Sequence, residues 1–221
     1  MNDFEKYASG RKGLGPAFVD GYMRQSANYI SPCIIEERRL NVTSMDVFSR
    51  LMMDRIIFIG TAIDDDVANI VQAQLLYLSS VSSQDKISIY INTPGGLVSS
   101  GLAIYDTMQL IAPEVETICT GMAASMGAIL LSAGAKGKRS ILPHARVMIH
   151  QPAGGAQGQA VDVLIAAKEL VVARKELSSL LALHTGQDSL KVFSDIDRDF
   201  WMNAEDAKNY GIVDNVLAGK K

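Results

Sequence analysis

Hydrophobic and polar positions along this chain change period repeatedly. Arg55-Ile56-Ile57-Phe58-Ile59-Gly60 is a near-continuous apolar run stopped by glycine, which predicts a buried strand. Residues 67–78 place apolar side chains at helical spacing. Asp64-Asp65-Asp66 precedes them, and acidic residues there serve a helix dipole and cap free N–H groups better than they suggest a metal site. Residues 86–92 alternate with period two and read as a strand running into Thr93-Pro94-Gly95-Gly96, followed by a helix from about Ser99 to Ile111. Residues 115–119 form the next strand candidate. They lead into Gly121-Met122-Ala123-Ala124-Ser125-Met126-Gly127, where one hydroxyl sits among small residues ahead of a helix over about 126–133. Residues 140–142 and 146–150 are further strand candidates. A glycine-rich stretch, 151–158, then precedes a long helix over about 159–185 that Gly186 ends. A short helix at 206–210 and a strand at 211–216 close the pattern.

Strands alternating with helices imply an α/β fold with mostly parallel pairing. The helix over 159–185 is too long for a simple crossover and is expected to project from the core. Residues 1–30 are polar and glycine-rich, which suggests a trimmed or poorly ordered extension. Ser31 to Glu36 reads as the start of an extended segment, 36–46 as a mobile loop, and 46–53 as a short helical turn. No repeat of fixed period is present, although the strand–turn–helix unit recurs at Asn92 and Gly121.

With 221 residues, 48% of them hydrophobic and 20% charged, the chain suits one packed domain with a small appendage. A net charge of −3 without a Lys/Arg cluster argues against nucleic acid as the main partner. The two cysteines, Cys33 and Cys119, lie far apart in apolar contexts and read as buried thiols of a reducing compartment. No apolar run approaches the roughly 20 residues that span a bilayer. The N-terminus lacks the apolar centre of a secretory leader, so a cytoplasmic location without membrane contact is expected.

Ser125 stands where a strand-to-helix turn would expose its hydroxyl, in the order of a nucleophile elbow, although the local pattern is Ala-x-Ser-x-Gly. A serine nucleophile needs a base, a group to hold that base, and oxyanion donors. Of the three histidines, His150 ends a strand run just before the glycine-rich stretch, where open sheets expose ligand-contacting residues. His144 follows Pro143 in a turn, and His184 sits near the end of the long helix, where a cation complements the dipole. Acid candidates are Asp195, Asp197 and Asp199, among which spacing alone does not choose. Gly95-Gly96 and the residue after the serine, Met126, could supply backbone N–H groups to an oxyanion.

Taken together, Tyr90-Ile91-Asn92-Thr93-Pro94-Gly95-Gly96, Ile104-Tyr105-Asp106-Thr107-Met108, Ala123-Ala124-Ser125-Met126-Gly127-Ala128, Met148-Ile149-His150-Gln151-Pro152, His184-Thr185-Gly186-Gln187 and Asp197-Arg198-Asp199 resemble the ClpP family, the proteolytic subunit of ATP-dependent Clp proteases. The resemblance runs in family order from about Pro32 to Val216. It implies Ser125 as nucleophile, His150 as general base, and Asp199 as third member, because the family's Arg-Asp pair falls on Arg198-Asp199. Gly96 and Met126 match its oxyanion donors. Gly95, Gly96, Pro152, Ala153 and Gly154 match its substrate contacts, residues 152–155 looking like its substrate-aligning strand. The implied fold is a crotonase-like α/β core of ββα units with a protruding helical handle, here about 151–185. Residues 1–30 resemble a propeptide, residues 31–221 the protease domain, and 36–46 its axial loop. The implied assembly is a homo-oligomer of two stacked heptameric rings enclosing the active sites. An AAA+ Clp ATPase feeds such a chamber with unfolded polypeptide, its loops docking in apolar pockets onto which Tyr90 and Leu110 map.

The resemblance implies no cofactor and no metal; this chain lacks a phosphate-loop motif, so ATP would belong to the partner. One departure is the axial-loop region, which reads Glu37-Arg38-Arg39-Leu40-Asn41 without the family's usual Arg-Gly-Glu-Arg. The alternatives are a crotonase-fold acyl-CoA enzyme, which would not require a Ser–His–Asp set, and an inactive ring subunit, which would have lost part of it.

Overall fold

A computed structural model describes residues 33–38 and 41–217, and the chain divides after Arg50 into two units. In the first, β1 (Cys33–Arg38) and β2 (Asn41–Asp46) pair antiparallel, with Cys33 opposite Asp46 and Arg38 opposite Asn41. Within 36–46, where a mobile loop is expected, residues 36–38 end β1 and 41–46 form the whole of β2. The arms of this hairpin carry Ile34, Ile35, Val42 and Thr43, whose branched side chains favour extended backbone, while the charges at 36–39 break any visible alternation. Residues 39 and 40, and the expected extension over 1–30, lie outside the described residues. The helical turn expected at 46–53 is α1 (Val47–Met53), where Asp46 Oδ1 accepts from Ser49 N at 3.0 Å.

The second unit is the α/β body. Parallel strands run in the order β3 (Ile56–Ile59), β4 (Ile87–Thr93), β5 (Val115–Ala124), β6 (Arg139–Ile141) and β9 (Asn215–Val216). Two more strands branch from this path. β7 (Arg146–Ile149) pairs parallel with β5, and β8 (Phe200–Met202) pairs antiparallel with β7. Helices α2 (Asp65–Val81), α3 (Val98–Leu110) and α4 (Met126–Ser132) connect or follow the strands, as parallel pairing requires. Ile57, Ile89, Ile91, Ile104, Leu130 and Ile141 fill the core between them. Asp64 caps α2, its Oδ1 accepting from Val67 N at 2.9 Å, as its place before the helix predicted.

Strand β5 is where the sheet divides. Its first half, 117–119, pairs with β6, whereas its last three residues pair with β7. Between the halves its pairing with β4 jumps from Ile91 opposite Cys119 to Thr93 opposite Ala123, so β5 bulges outward over residues 120–122. Asn92 fills the gap in the ladder, its Oδ1 accepting from Met122 N at 3.1 Å. Gly121 leaves room for that carboxamide: a Cβ there would stand 2.5 Å from Asn92 Oδ1.

The expected long helix is α5 (Ala160–Thr185), closed by Gly186 in the left-handed region at φ 73°. Its buried residues are Leu177, Ser178, Leu181 and Ala182, all in its final third, while Val161, Leu164 and Ile165 are exposed. It therefore stands away from the core over most of its length. Beyond it, α6 (Ser189–Asp195) and β8 are too short to carry a readable period. α7 (Ala204–Tyr210), held by the capping box of Asn203 and Asp206, starts two residues earlier than expected.

Candidate active site

Three neighbouring parallel strands end at one place. β4 runs into the Pro94-Gly95-Gly96 turn, β5 into Ser125, and β7 into His150. The carboxyl ends of adjacent parallel strands are where open α/β sheets hold their ligands. Ser125 takes φ 54° and ψ −122°, unfavourable for a residue with a Cβ by about 1–3 kcal/mol. Its N–H donates to Met148 O at 2.8 Å, which fastens the turn to β7, and its hydroxyl makes no capping bond to α4. The sharp strand–serine–helix turn read from the sequence is present.

The glycines opposite are required by contact as well as by backbone. Gly95 lies at φ 92°, and a Cβ on it would stand 2.7 Å from Ser125 Cβ and 2.6 Å from Ala124 O. Gly96, at φ 157°, would put a Cβ 2.1 Å from Ile63 O, the residue whose carbonyl accepts from Leu97 N at 2.8 Å. Thr93 Oγ1 sets the turn by accepting from Gly95 N at 3.1 Å and donating to Thr61 O at 2.6 Å. Met126 N is the first amide of α4 and has no intrahelical acceptor. Neither it nor Gly96 N donates to a protein acceptor among the described residues.

The choice among the acids follows from strand register. In the antiparallel β7–β8 pair, Ile149 faces Phe200 and Met148 faces Trp201. One step further along, the same register sets His150 opposite Asp199. His150 Nδ1 lies 3.5 Å from Asp199 Oδ1, with the carboxylate side chain 62% exposed and the imidazole 26%. That separation is longer than the roughly 2.7–2.9 Å of a charge-assisted hydrogen bond. The other two acids are engaged elsewhere. Asp195 Oδ2 receives Lys191 Nζ at 2.5 Å and Tyr210 Oη at 2.8 Å, and Asp197 Oδ1 receives Arg174 at 3.2 Å. Gln151, next to His150, ties the two segments together through Gln151 N to Ile196 O at 2.6 Å and its Nε2 to Asp197 O at 2.8 Å.

Ser125 and His150 share an apolar cleft walled by Val98, Ile129, Ile149, Pro152, Leu177 and Leu181. Beyond Pro152, Ala153 and Gly154 are exposed. A Cβ on Gly154 would approach Leu170 Cδ2 to 2.9 Å, so the stretch lies against α5. The strand expected at 152–155 is not one in the single chain, because it has no ladder partner there. A larger cavity lined by Met108, Arg139 and His184 lies elsewhere and contains neither Ser125 nor His150.

The remaining histidines are not at the site. His144 is exposed in the turn before β7. His184 Nε2 pairs with Tyr105 Oη at 2.9 Å, and burial, aided by the nearby Arg139 charge, lowers its pKa. The expected cation at the end of α5 is therefore a neutral imidazole, and Arg139 donates to the helix end in its place, at 2.8 Å from His184 O. Tyr90 stacks on Phe58 with ring centroids 5.2 Å apart, and Leu110 ends α3 with its side chain exposed. Cys119 is buried, which pushes its thiol up to about 12 and leaves it inert; the side chain of Cys33 lies outside the described residues. Among the described residues, no cluster of His, Cys, Asp and Glu could hold a metal, and no helix is long and apolar enough to cross a membrane. Asn92, Thr93 and Gln151 are site-shaping residues that the sequence reading passed over, although Asn92-Thr93 directly before a Pro-Gly-Gly turn is a visible cue.

Comparison with known proteins gives a consistent answer. A family model described as Clp protease matches residues 38–220. A protein of Bacteroides fragilis is 60% identical over 220 residues, covering the whole of both chains, and one of Bacteroides thetaiotaomicron has the same identity and coverage. A third, from Porphyromonas gingivalis, is 58% identical over 217 residues, 98% of each chain. Each is named ATP-dependent Clp protease proteolytic subunit.

Proposed function

The chain belongs to the Clp protease family, and we propose that Ser125, His150 and Asp199 carry its peptide-bond hydrolysis. It is a serine endopeptidase subunit that works with an ATPase. The observation that carries the residue assignment is the meeting of the strained Ser125 turn with His150 in one cleft, with His150 Nδ1 turned to Asp199 at 3.5 Å.

Chemically, Asp199 at Nδ1 fixes the imidazole tautomer that leaves Nε2 to take the serine proton. Ser125 Oγ then attacks the carbonyl to form a tetrahedral intermediate, whose C–N bond breaks as His150 gives the proton to the leaving amine. His150 next takes a proton from the water that attacks the acyl-enzyme and returns it to Ser125 Oγ as the acid product leaves. The N–H groups of Gly96 and Met126 receive the oxyanion. One such donor is worth about 10² to 10³ in rate. Residues 152–155, without a ladder partner, offer main-chain groups to an extended peptide; the pairing is indifferent to most side chains and suits unfolded substrates.

At the level of the whole protein, we propose residues 31–221 as the protease domain and 1–30 as an extension or propeptide. The exposed apolar residues of α5, among them Leu164 and Ile165, are then buried in a double-ring homo-oligomer, and an AAA+ unfoldase docks near Tyr90 and Leu110. The acyl-CoA and inactive-subunit readings have no observation in their favour. Hydrolysis of a short fluorogenic peptide, by wild type and Ser125→Ala, with and without the ATPase, tests the proposal. Activity lost in Ser125→Ala with assembly intact is expected. Substantial turnover by the purified variant removes Ser125 from the mechanism.

A further inference from the structure

Arg139 opens β6 and is 6% exposed. Its Nε and one terminal nitrogen hold the two oxygens of Asp214 at 2.9 and 2.6 Å. The other terminal nitrogen faces three main-chain oxygens: Ser132 O at 3.3 Å, His184 O at 2.8 Å and Gly211 O at 3.0 Å. Each belongs to a helix C-terminus, where carbonyls lack intrahelical donors and a cation is favoured. Ser132 is the last residue of α4, His184 is one residue from the end of α5, and Gly211 is the C-cap of α7. One guanidinium closes three helices.

Each of those helices reaches the catalytic cleft by a short path. α4 starts at the residue after Ser125 and, at seven residues, is a rod of about 10 Å that carries any shift of its C-terminus to Met126 N. The last third of α5 supplies the wall residues Leu177 and Leu181. α7 follows β8, whose register with β7 sets Asp199 against His150. A buried ion pair is a weak source of stability compared with an apolar pair of similar volume, whereas a planar fork with fixed directions is well suited to holding several elements in one geometry.

We propose that Arg139, oriented by Asp214, is a positioning residue of the peptidase: by capping α4, α5 and α7 together it sets the oxyanion amide, the cleft wall and the Asp199 segment relative to Ser125. This rests on Ser125 being the nucleophile.

The test uses the full chain as wild type, as Arg139→Lys, and as Arg139→Met combined with Asp214→Leu. Peptide kcat and KM, the labelling rate of Ser125 by a fluorophosphonate, and thermal unfolding are measured on each. In Arg139→Lys, kcat is expected to fall at least about tenfold with KM within about twofold, and labelling to slow in parallel at temperatures where the variant is folded. The double variant is expected to recover the unfolding temperature and leave kcat low. A kcat within twofold of wild type in Arg139→Lys, or a double variant that recovers kcat together with its unfolding temperature, reduces Arg139 to a stabilising role. If neither variant folds, wild type decides by itself. Phosphonylation of Ser125 should slow amide hydrogen exchange near Ser132, His184 and Gly211, since coupling between two sites is reciprocal. Unchanged exchange at all three overturns the proposal. A wild type that is not labelled at Ser125 overturns the nucleophile assignment as well, which separates the two failures.

Discussion

Replacing Asp199 by Asn removes one charge and leaves the shape of the side chain. The magnitude follows from the 3.5 Å separation of Asp199 Oδ1 from His150 Nδ1. A unit carboxylate at that distance favours the imidazolium formed during proton transfer by about 1.2 kcal/mol in water, and by about 4.7 kcal/mol at an effective dielectric of about 20. Those limits correspond to rate losses of about 8-fold and about 3,000-fold. With the carboxylate side chain 62% exposed, the lower part of the range applies, and kcat/KM is expected to drop by about 10- to 100-fold in the single-chain geometry. The carboxylate-to-amide loss in the serine-protease template, where the acid is buried, is about 10⁴-fold. A loss approaching that value would mean that assembly closes Asp199 away from water and shortens the contact. The assay is steady-state hydrolysis of a fluorogenic peptide from pH 6 to 9, beside Asp195→Asn and Asp197→Asn as controls, with subunit assembly measured on each. A loss under about threefold in Asp199→Asn, or a larger loss in either control with assembly unchanged, refutes the register argument that placed Asp199 opposite His150.

Other outcomes follow from the same geometry. Because Ser125 sits at φ 54°, Ser125→Gly should be more stable than Ser125→Ala by about 1 kcal/mol in urea unfolding, with both inactive; equal stabilities would mean that the turn is not strained. Gly95→Ala places a methyl 2.7 Å from Ser125 Cβ at a φ of 92°, so turnover should fall below about 1% of wild type, and near-normal kcat/KM would show that the turn yields freely. Burial tends to raise the pKa of Asp214, but its bonds to Arg139 and that residue's charge prevail and lower it. The pair's contribution to stability is therefore complete above about pH 4 and is lost as the pH falls toward the lowered value, so Asp214→Asn should flatten the acid limb of a stability–pH curve. Leu181 is 2% exposed in the cleft wall, and its change to Ala should cost about 2–5 kcal/mol of stability in urea unfolding; a cost under about 1 kcal/mol would mean that the wall is loosely packed there.

What could be read in advance was whatever depends on local pattern. A four-residue apolar run stopped by glycine revealed β3, period-two alternation revealed β4, and the three apolar residues before His150 revealed β7. The helical spacing at 67–78 revealed α2, and the stop at Gly186 marked the end of α5. Ser125 was legible as the one hydroxyl among small residues between a strand and a helix candidate, and His150 because it ends a strand run before a glycine-rich stretch. Asp199 was not legible from spacing, because what selects it over Asp195 and Asp197 is a three-residue strand, β8, with no period of its own. The resemblance chose it, and the register supplies a physical reason. β5 extends past Cys119 because Asn92 bridges a bulge, and no sequence pattern announces a side chain standing in for a ladder bond. His184 was misread as a cation because burial and the partner that caps its helix come from distant parts of the chain.

The division of β5 between two neighbours also bears on fidelity of folding. A strand paired along its whole length with a single partner can slide by a residue, turning every side chain to the other face. β5 is held by β4 on one side and, on the other, by β6 at 117–119 and β7 at 122–124, with a bulge fixing the count between them. Any slip must break several independent ladders at once and misplace the bulge. Ser125 thus comes out of folding at one height relative to His150, and a misregistered but compact chain is penalised during folding itself.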